Sequence, residues 1–459
     1  MKRRTYVALL ATLMSATAWG QEVSLYGTTM AQMWKTETPG FDKTTYTPAT
    51  QYLGLDVMKL GSERLSLHLF GWGKTDLSDS TSFDGSKSDG YLNFGYLQYR
   101  FDQANAEIKA GRFTVNQSTG FEQVDGVSAR TDLRGGFTVS AFAGKPVLYK
   151  TVDPTSQSEY DLQSNLIFGS RLGWRMPKIG EIGVSYLQDG TKNATGLNGP
   201  SPVDYTRKQL GADILIAPVT SFDFRGRTVF DVANHDDPAP GVDRSRIAEH
   251  DYTATYKFGS VVSVSANYAE RNYFAYFAGT NLPSLFRQDD NDKFKGDGLS
   301  VTWNTPWAVQ LIADVRHTER ETYGTTTRTG GELRWANAEK TSQVGLGGHY
   351  TNAAKTLLVD ATAPSRSLSN AEARAWCMTT KDKFTGSLDA IYQKFKADNP
   401  YLAGLHNLYE VVASLGYQAS TNIKVSGDVS HGSTPMAKDE TRLLLKADYR
   451  FGFGKKGGQ

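Results

Sequence analysis

Charge at two-residue spacing is the first feature of the sequence that could do chemistry. Asp223, Arg225 and Arg227 alternate with Phe222, Phe224 and Gly226, and Arg207 stands on the preceding segment with Asp213. Alternate side chains of an extended chain share one face, so the guanidinium groups would combine into a local positive field for oxyanions or carboxylates. The spacing recurs at Arg171 and Arg175, Asp314 and Arg316, Glu332 and Arg334, and Glu372 and Arg374. Covalent and metal chemistry have far less to stand on. There is no Cys-x-x-Cys-His, no His-Glu-x-x-His and a single cysteine, so no cofactor or metal is expected. The seven histidines are scattered, and His235-Asp236-Asp237 has no nucleophile that can be placed beside it. The acidic run Asp289-Asp290-Asn291-Asp292 lacks the calcium-loop spacing, because Phe294 takes the fifth position from Asp290. An enzyme is not expected.

The composition says what kind of element must hold these charges. The 459 residues include 50 Lys and Arg, 48 Asp and Glu, 45 Gly and 12% aromatic residues, at a mean hydropathy of -0.44. No apolar run is long enough for a membrane-spanning helix. So many rings are out of place in a disordered polymer, and a net charge of +2 offers no footprint for nucleic acid. Met1-Lys2-Arg3-Arg4, the apolar stretch Tyr6 to Met14 and Ala18-Trp19-Gly20 read as a secretory leader cleaved after residue 20. Removing it leaves 47 cations against 48 acids, so bulk charge does not choose a partner.

From Val23 to Phe453 the chain alternates polar and apolar residues in segments of about ten, the pattern of transmembrane β-strands. Leu210, Ala212, Ile214 and Ile216 share a face opposite Arg207, Gln209, Gly211 and Asp213, and the return segment from Phe222 repeats the pattern. Tight connections such as 61–63, 177–180 and 259–260 alternate with long ones such as 35–50, 232–245 and 273–296. Rings at Trp34, Tyr52, Tyr99, Trp174, Phe258, Trp303, Trp335 and Tyr417 stand near segment ends, where interfacial girdles are expected. The fold class predicted is therefore all-β: residues 21–459 form a single closed antiparallel transmembrane β-barrel with short periplasmic turns and long extracellular loops. The segments number about 22, with 20 or 18 as the counts that lost hairpins in the weakest region, 113–162, would leave.

Leu25-Tyr26-Gly27 at the first segment and Tyr449-Arg450-Phe451 at the last resemble the opening and closing strands of Gram-negative outer-membrane porins. Gly111-Arg112-Phe113 with Asp125-Gly126-Val127 resembles porin-like barrels of deltaproteobacterial type, including those that partner multihaem cytochromes. The resemblance implies an outer-membrane location, lipid and the barrel-assembly machinery as partners, and Tyr449 and Phe451 as the assembly signal. It implies passive diffusion of small hydrophilic solutes, with a sleeve for a multihaem cytochrome as the alternative; the arginine strands Arg207, Arg225 and Arg227 add some anion preference and, as a further alternative, a selective oxyanion or carboxylate channel. The pore-lining candidates are the charged residues named first. Tyr273, Phe274, Tyr276, Phe277 and Phe286 form a candidate constriction or partner loop.

Overall fold

A backbone that crosses hydrocarbon must pair its own polar groups, so an extended chain can do so only as a closed sheet. The computed structural model describes residues 21–37, 44–78, 88–147, 166–195, 202–232, 247–272, 293–320, 324–356, 366–367, 369–396, 407–434 and 437–454. The expected leader and the aromatic loop of Tyr273, Phe274, Tyr276, Phe277 and Phe286 lie outside the described residues. The wall consists of 22 strands. They are β1 (Glu22–Glu37), β2 (Pro48–Met58), β3 (Leu65–Asp76), β4 (Ser88–Phe101), β5 (Ala106–Gln117), β6 (Gly120–Asp132), β7 (Phe137–Pro146) and β8 (Ile167–Met176). Then follow β9 (Gly180–Thr195), β10 (Pro202–Val219), β11 (Phe222–Asp231), β12 (Ile247–Phe258), β13 (Val262–Asn272), β14 (Lys293–Asn304) and β15 (Val309–Arg320). The last are β16 (Gly324–Ala336), β17 (Ser342–Ala353), β18 (Asn370–Lys381), β19 (Phe384–Phe395), β20 (Asn407–Ser420), β21 (Ile423–Thr434) and β22 (Ala437–Phe453).

Each strand pairs antiparallel with its chain neighbours, and β22 returns to β1 in continuous register from Val23↔Phe453 to Glu37↔Asp439. The ring has no edge. A short segment at Thr44–Tyr46 extends the wall beside Trp34 and Thr36, and Lys355–Thr356 pairs Arg366–Ser367 as a separate ribbon. Both described ends lie on the side of the short connections 59–64, 102–105, 177–179, 220–221, 259–261, 382–383 and 421–422. Several strands begin earlier than the sequence pattern marks them: β2 at 48, β14 at 293, β16 at 324 and β22 at 437. These extensions are all at the long-loop end. There a strand projecting beyond the membrane is wet on both faces and loses the alternation that betrays it.

Register settles the two faces. On the outside, Leu443, Leu445, Val429, Leu415, Val344 and Leu333 are exposed apolar residues at alternate positions, as lipid requires. Trp174, Phe258, Trp303, Trp335 and Tyr417 join this face near its lower rim. Cys377, in register with Val344 and Leu388, also points outward. Two rings depart from the expected girdle. Tyr52 stacks on Phe70 inside the barrel, and Trp34 lies beneath the Arg442 guanidinium, 4.6 Å from its ring centre. Among the described residues no helix is long and apolar enough to cross a membrane.

The face assignment predicts a contrast between adjacent residues. Leu445→Arg, near the middle of β22 on the lipid face, should cost about 2–4 kcal/mol. Leu444→Arg, which pairs with Gln32 and Asp428 on the lumen side, should shift the urea midpoint of the vesicle-inserted protein far less. Equal shifts would contradict the assignment.

Candidate functional site

The lumen face carries the polar side chains of the barrel, and its narrowing element begins with four glycines. Gly111 pairs Gly126, and Gly126 pairs Gly144, with Gly95 next to Gly111 across the β4 and β5 pair. Cβ atoms would not fit here. At Gly111 one would strike the Gly95 carbonyl oxygen, and at Gly126 that of Ala143. Gly111 also has a φ of +126°, a region open to glycine. The crease lets β5 and β6 leave the wall. Pairing of β5 with β4 stops at Gly95↔Arg112 and pairing of β6 with β7 stops at Val124↔Pro146, while β5 and β6 stay paired with each other up to Gln117↔Gly120.

The freed hairpin, with its two-residue turn at 118–119, bends into the lumen. Phe113, Val124, Phe142, Ile167 and Leu187 form a buried apolar cluster inside the barrel, with Tyr96 and Val115 packed on it. Burial of such a side chain contributes about 1.5–3 kcal/mol each, enough to hold a hairpin away from water. At the tip, the Ser118 hydroxyl donates to Ser185 Oγ at 2.6 Å, and the turn lies so close to Gly211 that a Cβ there would meet the Thr119 nitrogen. Ser185 and Gly211 belong to β9 and β10, so the tip has crossed to a different part of the wall.

Polar struts fix both ends. Gln123 sits at the departure point, accepting from Tyr91 Oη at 2.7 Å, donating to the Asn93 carbonyl, and accepting from Val147 N on its backbone oxygen at 2.9 Å. Arg112 spans the crease with two bonds to Asp125, at 2.7 and 2.8 Å, and one to the Leu92 carbonyl at 3.0 Å. Under the tip, the Arg207 guanidinium meets Glu122 at 2.5 Å and Asp189 at 3.9 Å, all three side chains less than a tenth exposed. A buried charge of this kind persists only when paired.

The candidate charges fall into two groups. On the wall facing the tip, Arg171 donates to Asp213 at 2.6 Å and approaches Glu181 at 2.8 Å, and Arg175 reaches Glu181 at 3.4 Å. Arg227 pairs Glu249 at 2.7 Å, and Asp223 lies 3.9 Å from Lys257. Among the described residues no carboxylate pairs with Arg225. Arg171, Arg225 and Arg227 line a recess of about 460 Å³ together with Asn116, Gln117 and Ser118 of the tip. On the other side of the tip, Arg171 and Arg175 line one of about 450 Å³. Arg207 is on the same face but buried beneath the hairpin, so it serves as a strut and not as open lining.

The second group stands on β15 to β19. Asp314 lies 3.0 Å from His349 and 3.6 Å from Arg328, which also meets Glu372 at 3.2 Å. Glu332 accepts from Arg334 at 2.6 Å and from Trp376 Nε1 at 2.7 Å, and Arg374 donates to Asp389 at 3.0 Å. Arg316, opposite Arg328 in register, has no carboxylate partner among the described residues. Most candidate arginines are thus neutralised locally, which spreads the field along the wall in pairs. Tyr449 and Phe451 lie side by side on the lipid face of β22, 6.0 Å between ring centres.

Sequence reasoning named neither Glu122 and Asp189 nor Gln123, and it missed the ring-bearing inner face of β3. That face had a signal: Leu65, Leu67 and Leu69 alternate with His68, Phe70 and Trp72, so both faces carry large side chains. Ser118 and Thr119 gave none, because a two-residue turn looks alike on either side of the membrane.

No family model matches the chain, and no curated protein matches its sequence. Solved structures do. A ferric enterobactin receptor (PfeA) mutant from Pseudomonas aeruginosa superposes at TM-score 0.51 with 9% identity, over 94% of this chain and 80% of that one. OccAB2 of Acinetobacter baumannii gives 0.44 at 11% identity, and OccK1 (OpdK) of Pseudomonas aeruginosa 0.42 at 10%, each over 94% of this chain and 98% of its own.

The hairpin predicts its own release. Glu122→Ala leaves Arg207 buried with Asp189 alone, a loss of about 3–5 kcal/mol where a buried pair is broken. The variant should give larger, noisier single-channel currents than the parent; identical currents would contradict the constriction. What the geometry and the solved structures share is a fold: the chain is a closed antiparallel β-barrel of 22 strands.

Proposed function

We propose that the chain is a passive diffusion channel for small hydrophilic solutes, exported by a leader over residues 1–20 and assembled through the Tyr449 and Phe451 signal on β22. The observation that carries this is the lumen itself: a closed wall whose inner face is polar and ion-paired, narrowed by a hairpin that the wall holds inside. A barrel of 22 strands with nothing inside would be wide enough to breach the permeability barrier. An internal constriction makes such a width compatible with selective passage.

The hairpin also weighs between the remaining readings. A sleeve for a multihaem cytochrome needs an open bore, and a hairpin packed inward on Ser185 and Gly211 takes up part of it. Anion preference rests on a narrower base than the sequence suggests, since Arg171, Arg207 and Arg227 each face a carboxylate. Arg225, at the recess beside the tip, is the residue on which such a preference would depend.

Single-channel recording of the purified protein in a planar bilayer tests the proposal, with an absorption scan of the same preparation. Stable conductance without haem is expected. Arg225→Ser should move the reversal potential in a salt gradient toward cation preference without abolishing conductance. Silence in the bilayer, or stoichiometric haem, would overturn the proposal.

A further inference from the structure

Away from the arginine wall, the inner face of β1 to β4 carries a ladder of rings. Three rungs are set by cross-strand register: Trp72↔Tyr91, Phe70↔Phe94 and His68↔Tyr96. Their ring centres are 6.3, 5.5 and 5.1 Å apart. Tyr26 and Tyr52 widen the middle rung, each 6.2 Å from Phe70. Gly54 makes room for this, because a Cβ there would enter the Tyr26 ring. With a rise of about 6.6 Å per two residues, three rungs extend roughly 13 Å along the strands.

The rings leave surface to spare. Phe70 and Phe94 are inclined by only 24°, and Tyr26 and Phe70 by 14°. Parallel rings in full contact would sit about 3.5–4.0 Å apart, so at these separations each is slipped, overlapping the next like a shingle. Phe70, Phe94, Tyr26, Tyr52 and Tyr96 are all half-buried, so each keeps part of its surface open to the lumen.

Most charges beside the ladder come in opposed pairs, Arg100 below Tyr96 being an exception among the described residues. Lys74 lies 4.0 Å from Asp89 at the upper rung, Asp56 is 2.7 Å from His68 at the lower, and Lys109 is 3.4 Å from Glu107. The recess of about 490 Å³ against Tyr26, Tyr52 and Phe70 holds two cations, Lys424 and Arg450, and two acids, Asp56 and Asp448. An anion gains nothing from such a balance. A neutral ring with C–H faces and hydroxyl edges gains twice, by apolar contact with the shingled rings and by hydrogen bonds to donors and acceptors on either side.

We propose that this ladder is a binding track for neutral, polyhydroxylated ring solutes, sugars of one to a few rings, which pass the constriction in contact with it. Tyr91 ties the two together, since its hydroxyl holds Gln123 at the departure point of the hairpin. The proposal rests on the channel reading, and the experiment separates the two.

The test is single-channel blockade by maltotriose, with sodium benzoate as the charged ring of comparison. Maltotriose should interrupt the current in a concentration-dependent way. In Phe70→Ala/Phe94→Ala, checked for folding by heat-modifiable migration in gels, the half-blocking concentration should rise about tenfold or more. Phe70→Tyr/Phe94→Tyr should retain blockade, and Arg225→Ser should leave it unchanged. Conductance that ignores maltotriose, blockade by benzoate alone, or a double alanine variant that blocks like the parent would overturn the track and leave the channel standing. No conductance in the parent protein would overturn both.

Discussion

Hydrocarbon offers no hydrogen bonds, and every other feature of this chain follows from how its backbone answers that fact. Pairing Val23 with Phe453 and continuing to Glu37 and Asp439 joins the last strand to the first. Once the ring is closed, alternation has a physical meaning: one set of side chains must tolerate lipid, the other meets water. The ion pairs of the interior are a consequence. A lumen wall crowded with Arg171, Asp213, Arg227, Glu249, Arg328 and Glu372 keeps its charges by setting them across strands from one another.

The same constraint explains why the hairpin is built as it is. Strands that leave a membrane wall must do so where the backbone can bend and must keep their bonds afterwards. β5 and β6 satisfy both by creasing at Gly111 and Gly126 and remaining paired with each other to the tip. Gln123 and Arg112 then occupy polar groups that the separation leaves at the edges of β4 and β7. The apolar cluster around Phe113 and Leu187 is the part of the molecule that most resembles the core of a soluble protein, and it lies inside the barrel. The tip, the Arg225 recess and the ring ladder stand around one narrowing.

How much of this the sequence discloses depends on whether a segment sees two different solvents. The β10 and β11 pair does, so Leu210 to Ile216 and Arg207 to Asp213 separate cleanly, and the strand count follows from such pairs. The segment 113–123 does not. Phe113 and Val124 are buried inside the barrel, Glu122 and Gln123 are buried with them, and the polar-apolar code disappears. That is why the region from 113 to 162 reads weakly, and why Gly111-Arg112-Phe113 and Asp125-Gly126-Val127 show their purpose only as a crease. Alternation likewise puts Arg207 on the inner face but cannot tell open water from the underside of a folded hairpin. Rings suffer the opposite ambiguity: Tyr52 and Trp34 look like girdle residues until register turns them inward.

The central claim is that the β5 and β6 hairpin rests inside the barrel against β9 and β10. Disulfide trapping between Ser118→Cys and Ser185→Cys, in a Cys377→Ser background, tests it most directly, because the two hydroxyl oxygens stand 2.6 Å apart. Mild oxidation of the membrane-inserted protein should give a cross-link in high yield, read as faster migration in non-reducing gels. A folded barrel in which both thiols stay free and reactive would contradict the account.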